Sequence, residues 1–103
     1  MNVKWTKLAQ RQRRETARYI ATEFGKKAAE KFYQNVAQWV RSIACNPGIG
    51  IKEPLLAKRP EGFRSIVISK QNKLVYYVEG DTIYLAALWD TRREPATQAD
   101  TTK

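Results

Sequence analysis

Hydrophobic residues in the middle of the chain recur at the spacing of an amphipathic helix. Between Ala29 and Ile43 the apolar positions lie three and four residues apart, and Asn46-Pro47-Gly48 follows them. This periodicity predicts a helix that buries one face and ends before the proline.

A second helix is predicted upstream, over Lys7–Phe24, where neither glycine nor proline occurs. Thr6 is a suitable N-cap, and Gly25 is a suitable stop. The apolar stripe of this segment is weak, because Arg13 and Thr16 stand where aliphatic side chains are expected. The two helices, joined at the glycine, are expected to form a helical hairpin.

After Gly62 the hydrophobic period falls to two, which is typical of β-strands. Three segments rich in Val, Ile and Tyr alternate in this way, at residues 63–69, 73–79 and 82–89. Gln71-Asn72 and Gly80-Asp81 separate them and have the composition of tight turns. The pattern therefore predicts three strands in an antiparallel meander.

The remaining segments complete an α+β plan. Residues 2–5 suit either a short edge strand or a lead-in, and residues 47–62 form a long connection rich in Gly and Pro, of a length that is often functional. We expect a single domain over residues 1–95, with the helical hairpin packed on an antiparallel sheet of three to four strands in the order (β)-α-α-β-β-β. Residues 96–103 are expected to be a polar, frayed tail.

Composition excludes several kinds of chemistry. The chain has 103 residues, no histidine and one cysteine, Cys45, so imidazole catalysis, an intrachain disulfide and a cysteine-based zinc site are ruled out. No P-loop, dinucleotide fingerprint or nucleophile elbow occurs, and we expect neither a cofactor nor a metal. With no long apolar run and no secretory signal, we expect no membrane partner and a cytoplasmic location.

Charge is the most informative property of the composition. Lys and Arg number 19 against 10 acidic residues, which gives a formal net charge of +9. Such a chain is attracted to polyanions or to an acidic partner protein. In the first helix four cations share one face, which is either a solvated surface or a contact for phosphate or for an acidic partner: Lys7, Arg11, Arg14 and Arg18.

A second basic set is dispersed along the sequence but is expected to converge in space. In a regular meander Arg64 and Lys73 fall on the sheet face away from the helices, where they would line a basic groove. The alternative is that these are edge charges that discourage aggregation. Trp89 either packs the end of the sheet or meets a partner. The candidate contact residues are Lys58, Arg59, Arg64, Lys73, Trp89, Arg92 and Arg93.

Several short segments, taken with this order of elements, carry a family resemblance. They are Gly62-Phe63-Arg64, then Asn72-Lys73-Leu74-Val75-Tyr76-Tyr77-Val78, then Leu88-Trp89-Asp90-Thr91-Arg92-Arg93-Glu94-Pro95. In their order and spacing the chain resembles the RelE/ParE superfamily of toxins from bacterial type II toxin–antitoxin systems, which stabilise plasmids. The resemblance implies a growth-inhibiting toxin that a cognate antitoxin neutralises, with operator DNA bound only through the antitoxin complex.

The superfamily has two activities, and the resemblance maps both onto this chain. One branch cuts messenger RNA on the ribosome without a metal, and the other poisons DNA gyrase. By resemblance, Arg64, Lys73 and Arg93 match basic positions of the cutting branch. A further basic position is Ile66 here, and the late tyrosine of that branch falls near Ala99.

The missing proton-transfer group favours the ParE-like branch, in which the toxin acts by binding. A ribosome-dependent endoribonuclease is the alternative. A third hypothesis is a basic domain that binds nucleic acid and is not toxic.

Overall fold

The computed structural model describes residues 1–92 and 95–102, and for residues 95 and 96 only the backbone. Its elements are β1 (Asn2–Trp5), α1 (Lys7–Phe24), α2 (Lys26–Cys45), β2 (Ile51–Lys52), β3 (Arg64–Ser69), β4 (Asn72–Glu79), β5 (Thr82–Asp90) and α3 (Pro95–Thr101). A short 3₁₀ turn, Pro54–Leu56, lies between β2 and β3. The α+β class and the order of the main elements are as the sequence predicts.

The sheet is larger than predicted, and it is mixed. Five strands are ordered β1-β5-β4-β3-β2, and β1 pairs with β5 in parallel whereas the other pairs are antiparallel. The expectation of an antiparallel sheet of three to four strands is therefore corrected in strand number and in the parallel β1–β5 pair. The N-terminal strand finds its partner near the other end of the chain, and β2 has two residues, too few to show an alternating pattern.

Local signals fix the helical hairpin as predicted. Thr6 caps α1, because its Oγ1 accepts a hydrogen bond from the Ala9 N–H at 3.1 Å. Gly25 separates α1 from α2 with a φ of 95°, a conformation that favours glycine. Phe32, Val36 and other α2 residues pack on one face of the sheet, and the main core lies between these two layers.

The second face of the sheet is also covered, whereas the sequence predicts an open face. Leu56 from the long connection, Phe63 just before β3, Trp89 from β5 and Ala99 from α3 are part of a second apolar cluster there. The frayed tail predicted over residues 96–103 is therefore wrong for the part that is described. Most of its side chains are polar, as predicted, but α3 buries Ala99 and hydrogen-bonds to the strand beside it.

Among the described residues, no helix is both long and apolar enough to cross a membrane.

Candidate functional site

Arg64 stands at the start of β3 and holds the loop that follows α2. Its Nη1 donates to the Gly50 carbonyl oxygen at 2.7 Å. Tyr76 lies opposite it on β4, and the Tyr76 hydroxyl donates to the Pro47 carbonyl at 2.7 Å and accepts from the Gly50 N–H at 2.9 Å. The two side chains therefore tie the loop to the helix-covered face of the sheet.

The Tyr76 hydroxyl is buried with this loop. Burial raises the pKa of the phenol, while the hydrogen bond from Gly50 and the charge of Arg64 act in the lowering direction. The phenol is therefore protonated at neutral pH, and its hydroxyl can donate one hydrogen bond and accept another at the same time.

Lys73 is engaged by a buried carboxylate. Its Nζ lies 2.7 Å from Oε1 of Glu53, whose side chain is inaccessible to solvent. The Ser65 hydroxyl donates to the same oxygen at 2.8 Å, and the Leu55 N–H donates to Oε2 at 2.8 Å. The Lys73 ammonium also lies 5.2 Å from the centre of the Trp89 ring, within cation–π range.

These contacts set the ionisation of Glu53. Burial by itself raises the pKa of the carboxyl, but the hydrogen bonds from Lys73, Leu55 and Ser65 outweigh burial and leave the pKa below its ordinary value. Glu53 is therefore an anion at neutral pH, and the Lys73 charge is balanced inside the protein rather than presented to an external phosphate.

The predicted convergence of Arg64 and Lys73 is wrong, because a β-bulge separates them. Ser69 pairs with Asn72, but the register shifts and Val67 pairs with Lys73, so Arg64 comes to lie opposite Tyr76. A one-residue shift exchanges the two faces of a strand. Arg64 therefore shares the helix-covered face with Tyr76, and Lys73 lies on the other face with Trp89.

The other candidates of the dispersed basic set have varied surroundings. Lys58 is exposed. Arg59 donates to the carbonyl oxygens of Ala99 and Thr102, so it fastens the C-terminal segment. Trp89 is 2% exposed and is part of the core, which corrects its proposed role as a contact residue. Arg93 lies outside the described residues.

Arg92 is exposed and makes a paired contact with an acid. Its Nε and Nη2 each lie 3.1 Å from an oxygen of Asp90, and its guanidinium stands 5.5 Å from the Tyr19 ring centre. The hydrogen bonds to Asp90 and Tyr19 raise the pKa of the guanidinium. Arg92 is thus a positive charge between the end of β5 and the C-terminal half of α1.

The basic face of the first helix is present as predicted. Lys7, Arg11, Arg14 and Arg18 are all exposed on α1. Arg11 lies 3.7 Å from Glu15, which is itself largely exposed, so this contact is weak.

The sequence patterns do not identify Glu53 and Tyr76 as residues of the site. Glu53 is one of two acids in a connection rich in Gly and Pro, and the sequence pattern makes Tyr76 an ordinary inward residue of a strand. Their roles depend on how the connection contacts both faces of the sheet, at Gly50 on the helix-covered face and at Glu53 on the other, and periodicity gives no signal for this. Over residues 1–92 and 95–102, no cluster of acidic residues and cysteine could hold a metal ion.

The architecture defines a class of small basic α+β proteins, the RelE/ParE-type toxins. The profile of the family described as "ParE toxin of type II toxin-antitoxin system, parDE" matches residues 3–95. The chain belongs to this family, and membership implies an antitoxin partner. No curated protein matches the sequence.

Three solved structures share the fold at low identity. The chromosomal ParDE system from P. aeruginosa has a chain that is 19% identical with a TM-score of 0.71, covering 87% of this chain and 95% of that one. The YoeB dimer from Staphylococcus aureus is 21% identical with a TM-score of 0.60, covering 90% and 98%. A YoeB/ParE toxin from Agrobacterium tumefaciens is 16% identical with a TM-score of 0.57, covering 87% and 98%.

Proposed function

We propose that this chain is a growth-inhibiting toxin that acts by binding an essential target, with DNA gyrase as the preferred target. A cognate antitoxin neutralises it, and operator DNA is reached only through the antitoxin complex. The single observation that carries the binding mode is the separation of Arg64 and Lys73 onto opposite faces of the sheet.

Cutting RNA by attack of a 2′-hydroxyl needs cations that converge on one phosphate, together with a group that moves protons. Here the Arg64 guanidinium is bonded to the Gly50 carbonyl, and Lys73 is paired with Glu53. The sequence has no histidine to serve as the proton carrier. These features support inhibition by contact over cleavage.

The residues we propose for contact with the target are the exposed Lys58 and Arg92, together with Arg93, which lies outside the described residues. Lys58 and Arg92 are exposed, and Asp90 holds the Arg92 guanidinium in a fixed orientation. Fixed exposed cations suit an acidic protein surface or DNA held by a protein.

Induced expression of the chain in a bacterium, without the antitoxin, tests the proposal. We expect growth arrest, an induced DNA-damage response, intact ribosome-bound messages and inhibition of purified gyrase. New 5′ ends in messages on the ribosome, abolished by Arg64→Ala and by Arg93→Ala, would instead assign the endoribonuclease activity. Unchanged growth would leave a basic nucleic-acid-binding domain as the better description.

A further inference from the structure

A groove runs along one face of α2, from the bend between the two long helices to the end of α2. The residues of this face recur at intervals of three and four, so they form one row on the helix. Two adjoining cavities of about 410 and 640 Å³ lie along the row, and Asn35 is part of the wall of both. We call this depression the α2 groove, and its row consists of Ala28, Lys31, Asn35, Gln38, Ser42 and Cys45.

Asn35 places the groove beside the outer edge of β3. Its Nδ2 donates to the Ile68 carbonyl oxygen at 2.7 Å. Within the described part of the chain, β2 pairs only with Arg64 and Ser65, so this stretch of the edge has no neighbouring strand. An incoming peptide strand would compete with Asn35 for the Ile68 carbonyl. The edge is therefore partly protected against pairing with another strand.

The charged residues of the groove all have the same sign. Lys31 and Lys70 line the cavity near the bend, Arg41 lines the other cavity, and all three are exposed. No acidic residue is among the described residues that line either cavity. The neighbouring cavity beside α1 differs, because Glu15 and Asp90 line it. Of the two, the α2 groove is therefore the one that suits a chain of phosphates.

An aromatic side chain stands in each of the two cavities. Phe24 lines the cavity near the bend and is 69% exposed, which is unusual for a side chain of this size. Trp39 lines the other cavity and is only partly buried against the main core. Accessible aromatic rings in a positively charged groove are the surfaces on which the bases of single strands stack.

The stretch between the two aromatic side chains is polar. Gln38, Ser42 and Gln71 are exposed, and they supply hydrogen-bond donors and acceptors of the kind that contact bases and sugars. An amphipathic peptide helix needs a continuous apolar stripe on its partner. The row on α2 offers only the small side chains Ala28 and Cys45, one at each end. These features favour a nucleic-acid strand over a peptide.

The length of the groove and its aromatic residues favour a single strand over a duplex. The row on α2 spans about 25 Å, which accommodates a few nucleotides. Bases inside a duplex are stacked on one another, and only unpaired bases can stack on a protein side chain. A duplex would therefore meet the cations of the groove but not its aromatic rings.

We propose that the α2 groove binds a short single strand of nucleic acid. Its bases stack on Phe24 and Trp39, and its phosphates meet the three groove cations, Lys31, Lys70 and Arg41. This inference goes beyond the proposed function, which concerns a protein target, and it does not depend on whether the chain arrests growth.

The salt dependence of binding tests the cations. The probes are fluorescein-labelled single strands of about 12 nucleotides, one of DNA and one of RNA, and anisotropy with the full chain gives Kd. Lys31→Gln with Arg41→Gln should weaken binding at least fivefold at low salt. The slope of log K against log salt should become shallower by about 1.4, since each phosphate contact on a single strand contributes about 0.7.

A control variant removes the same two kinds of cation at exposed positions outside the groove. Lys4→Gln with Arg14→Gln changes β1, at the opposite edge of the sheet, and α1. The net charge falls equally in both double variants. The control should therefore change the slope by less than about 0.5, because no phosphate contact of the groove is lost.

Variants of the aromatic residues test stacking. Phe24→Ser should weaken binding at least fivefold, whereas Phe24→Trp keeps an aromatic ring and should bind within about twofold of the wild type. Ile51→Ser, at a position that is 68% exposed outside the groove, is the control. Binding should quench tryptophan fluorescence in the wild type and in Trp5→Phe but not in Trp39→Phe. Circular dichroism checks that each variant is folded.

The outcomes decide for or against the α2 groove proposal. Both arms support it, and a preference above about threefold for RNA or for DNA identifies the sugar of the ligand. The proposal is overturned if a duplex binds as tightly as the single strands and Phe24→Ser has no effect, because general attraction to a chain of charge +9 then explains binding. It is also overturned if the groove variants lose affinity for poly-glutamate but not for the oligonucleotides, because the groove then takes an acidic protein.

Discussion

Gly50 occupies a position with no space for a side chain. A Cβ built there would lie 2.7 Å from the Tyr76 hydroxyl oxygen and 2.9 Å from the Ser65 carbonyl oxygen. The second contact is with backbone, so no side-chain rotation relieves it. The close approach lets Gly50 bond to Tyr76 and Arg64 together.

Gly50→Ala should therefore lower the free energy of unfolding by about 1–3 kcal/mol, as other cases of overpacking do. Gly48→Ala is the control in the same loop, because the nearest atom to its Cβ would be 3.8 Å away. Denaturant unfolding of both variants checks the prediction. Equal stability of the two would show that the loop moves freely off the sheet.

Glu53 makes the free energy of unfolding depend on pH in the acidic range. Its pKa in the folded state is below the ordinary value of 4.5, so the unfolded chain binds the proton more readily as pH falls. Stability from this group is present above about pH 4.5 and is lost as pH falls through the folded pKa.

We expect Glu53→Gln to have a flatter stability profile than the wild type between pH 7 and about pH 3, with lower stability at neutral pH. Glu30→Gln changes an exposed acid on α2 and should retain the wild-type profile. Urea unfolding at a series of pH values measures both. A Glu53→Gln profile parallel to that of the wild type would contradict the ion pair with Lys73.

At the scale of the elements, aromatic side chains and amides join helices and strands through contacts that the apolar pattern does not predict. The Arg13 guanidinium lies 4.1 Å from the Trp5 ring centre and 5.8 Å from that of Tyr33, so a cation joins β1, α1 and α2. This contact explains why the apolar stripe of α1 is weak at Arg13. Sequence spacing alone predicts the helix but not the partner that covers its charged position.

The C-terminal helix depends on Gln98 in a similar way. Its amide makes two hydrogen bonds to the backbone of Asp90, as a neighbouring strand would. Gln98→Ala leaves both groups without these partners and should cost about 1–3 kcal/mol of unfolding free energy.

Thr97→Ala, at an exposed position on the same helix, should cost less than about 0.5 kcal/mol. Thermal unfolding, followed by the fluorescence of the three tryptophans, compares the two variants. A cost for Gln98→Ala no larger than that for Thr97→Ala would indicate that α3 leaves the sheet readily.

At the scale of the whole molecule, the net charge of +9 governs encounter with partners. Long-range attraction is screened as the Debye length falls from about 30 Å at 0.01 M salt to about 3 Å at 1 M. The association rate with the antitoxin should therefore fall at least tenfold over this range, while the dissociation rate changes less than threefold. Stopped-flow mixing measures both rates, and an association rate independent of salt would contradict electrostatic steering.

The sequence by itself determined the two helices, their caps and the three long strands, because hydrophobic periodicity and glycine positions are local properties. It also determined the basic face of α1, since a helix has a fixed angle per residue. With the short motifs it pointed to the toxin superfamily. These features need no knowledge of distant contacts.

Only the tertiary structure decided which faces the charged residues occupy. In a regular hairpin Arg64 would share a face with Lys73, but the bulge between Val67 and Ser69 shifts the register by one residue and reverses this. Likewise, β1 pairs with β5 and α3 hydrogen-bonds to the end of β5, and both contacts join distant parts of the chain. Register and long-range pairing depend on the competing free energies of whole arrangements, and a local pattern does not contain that information.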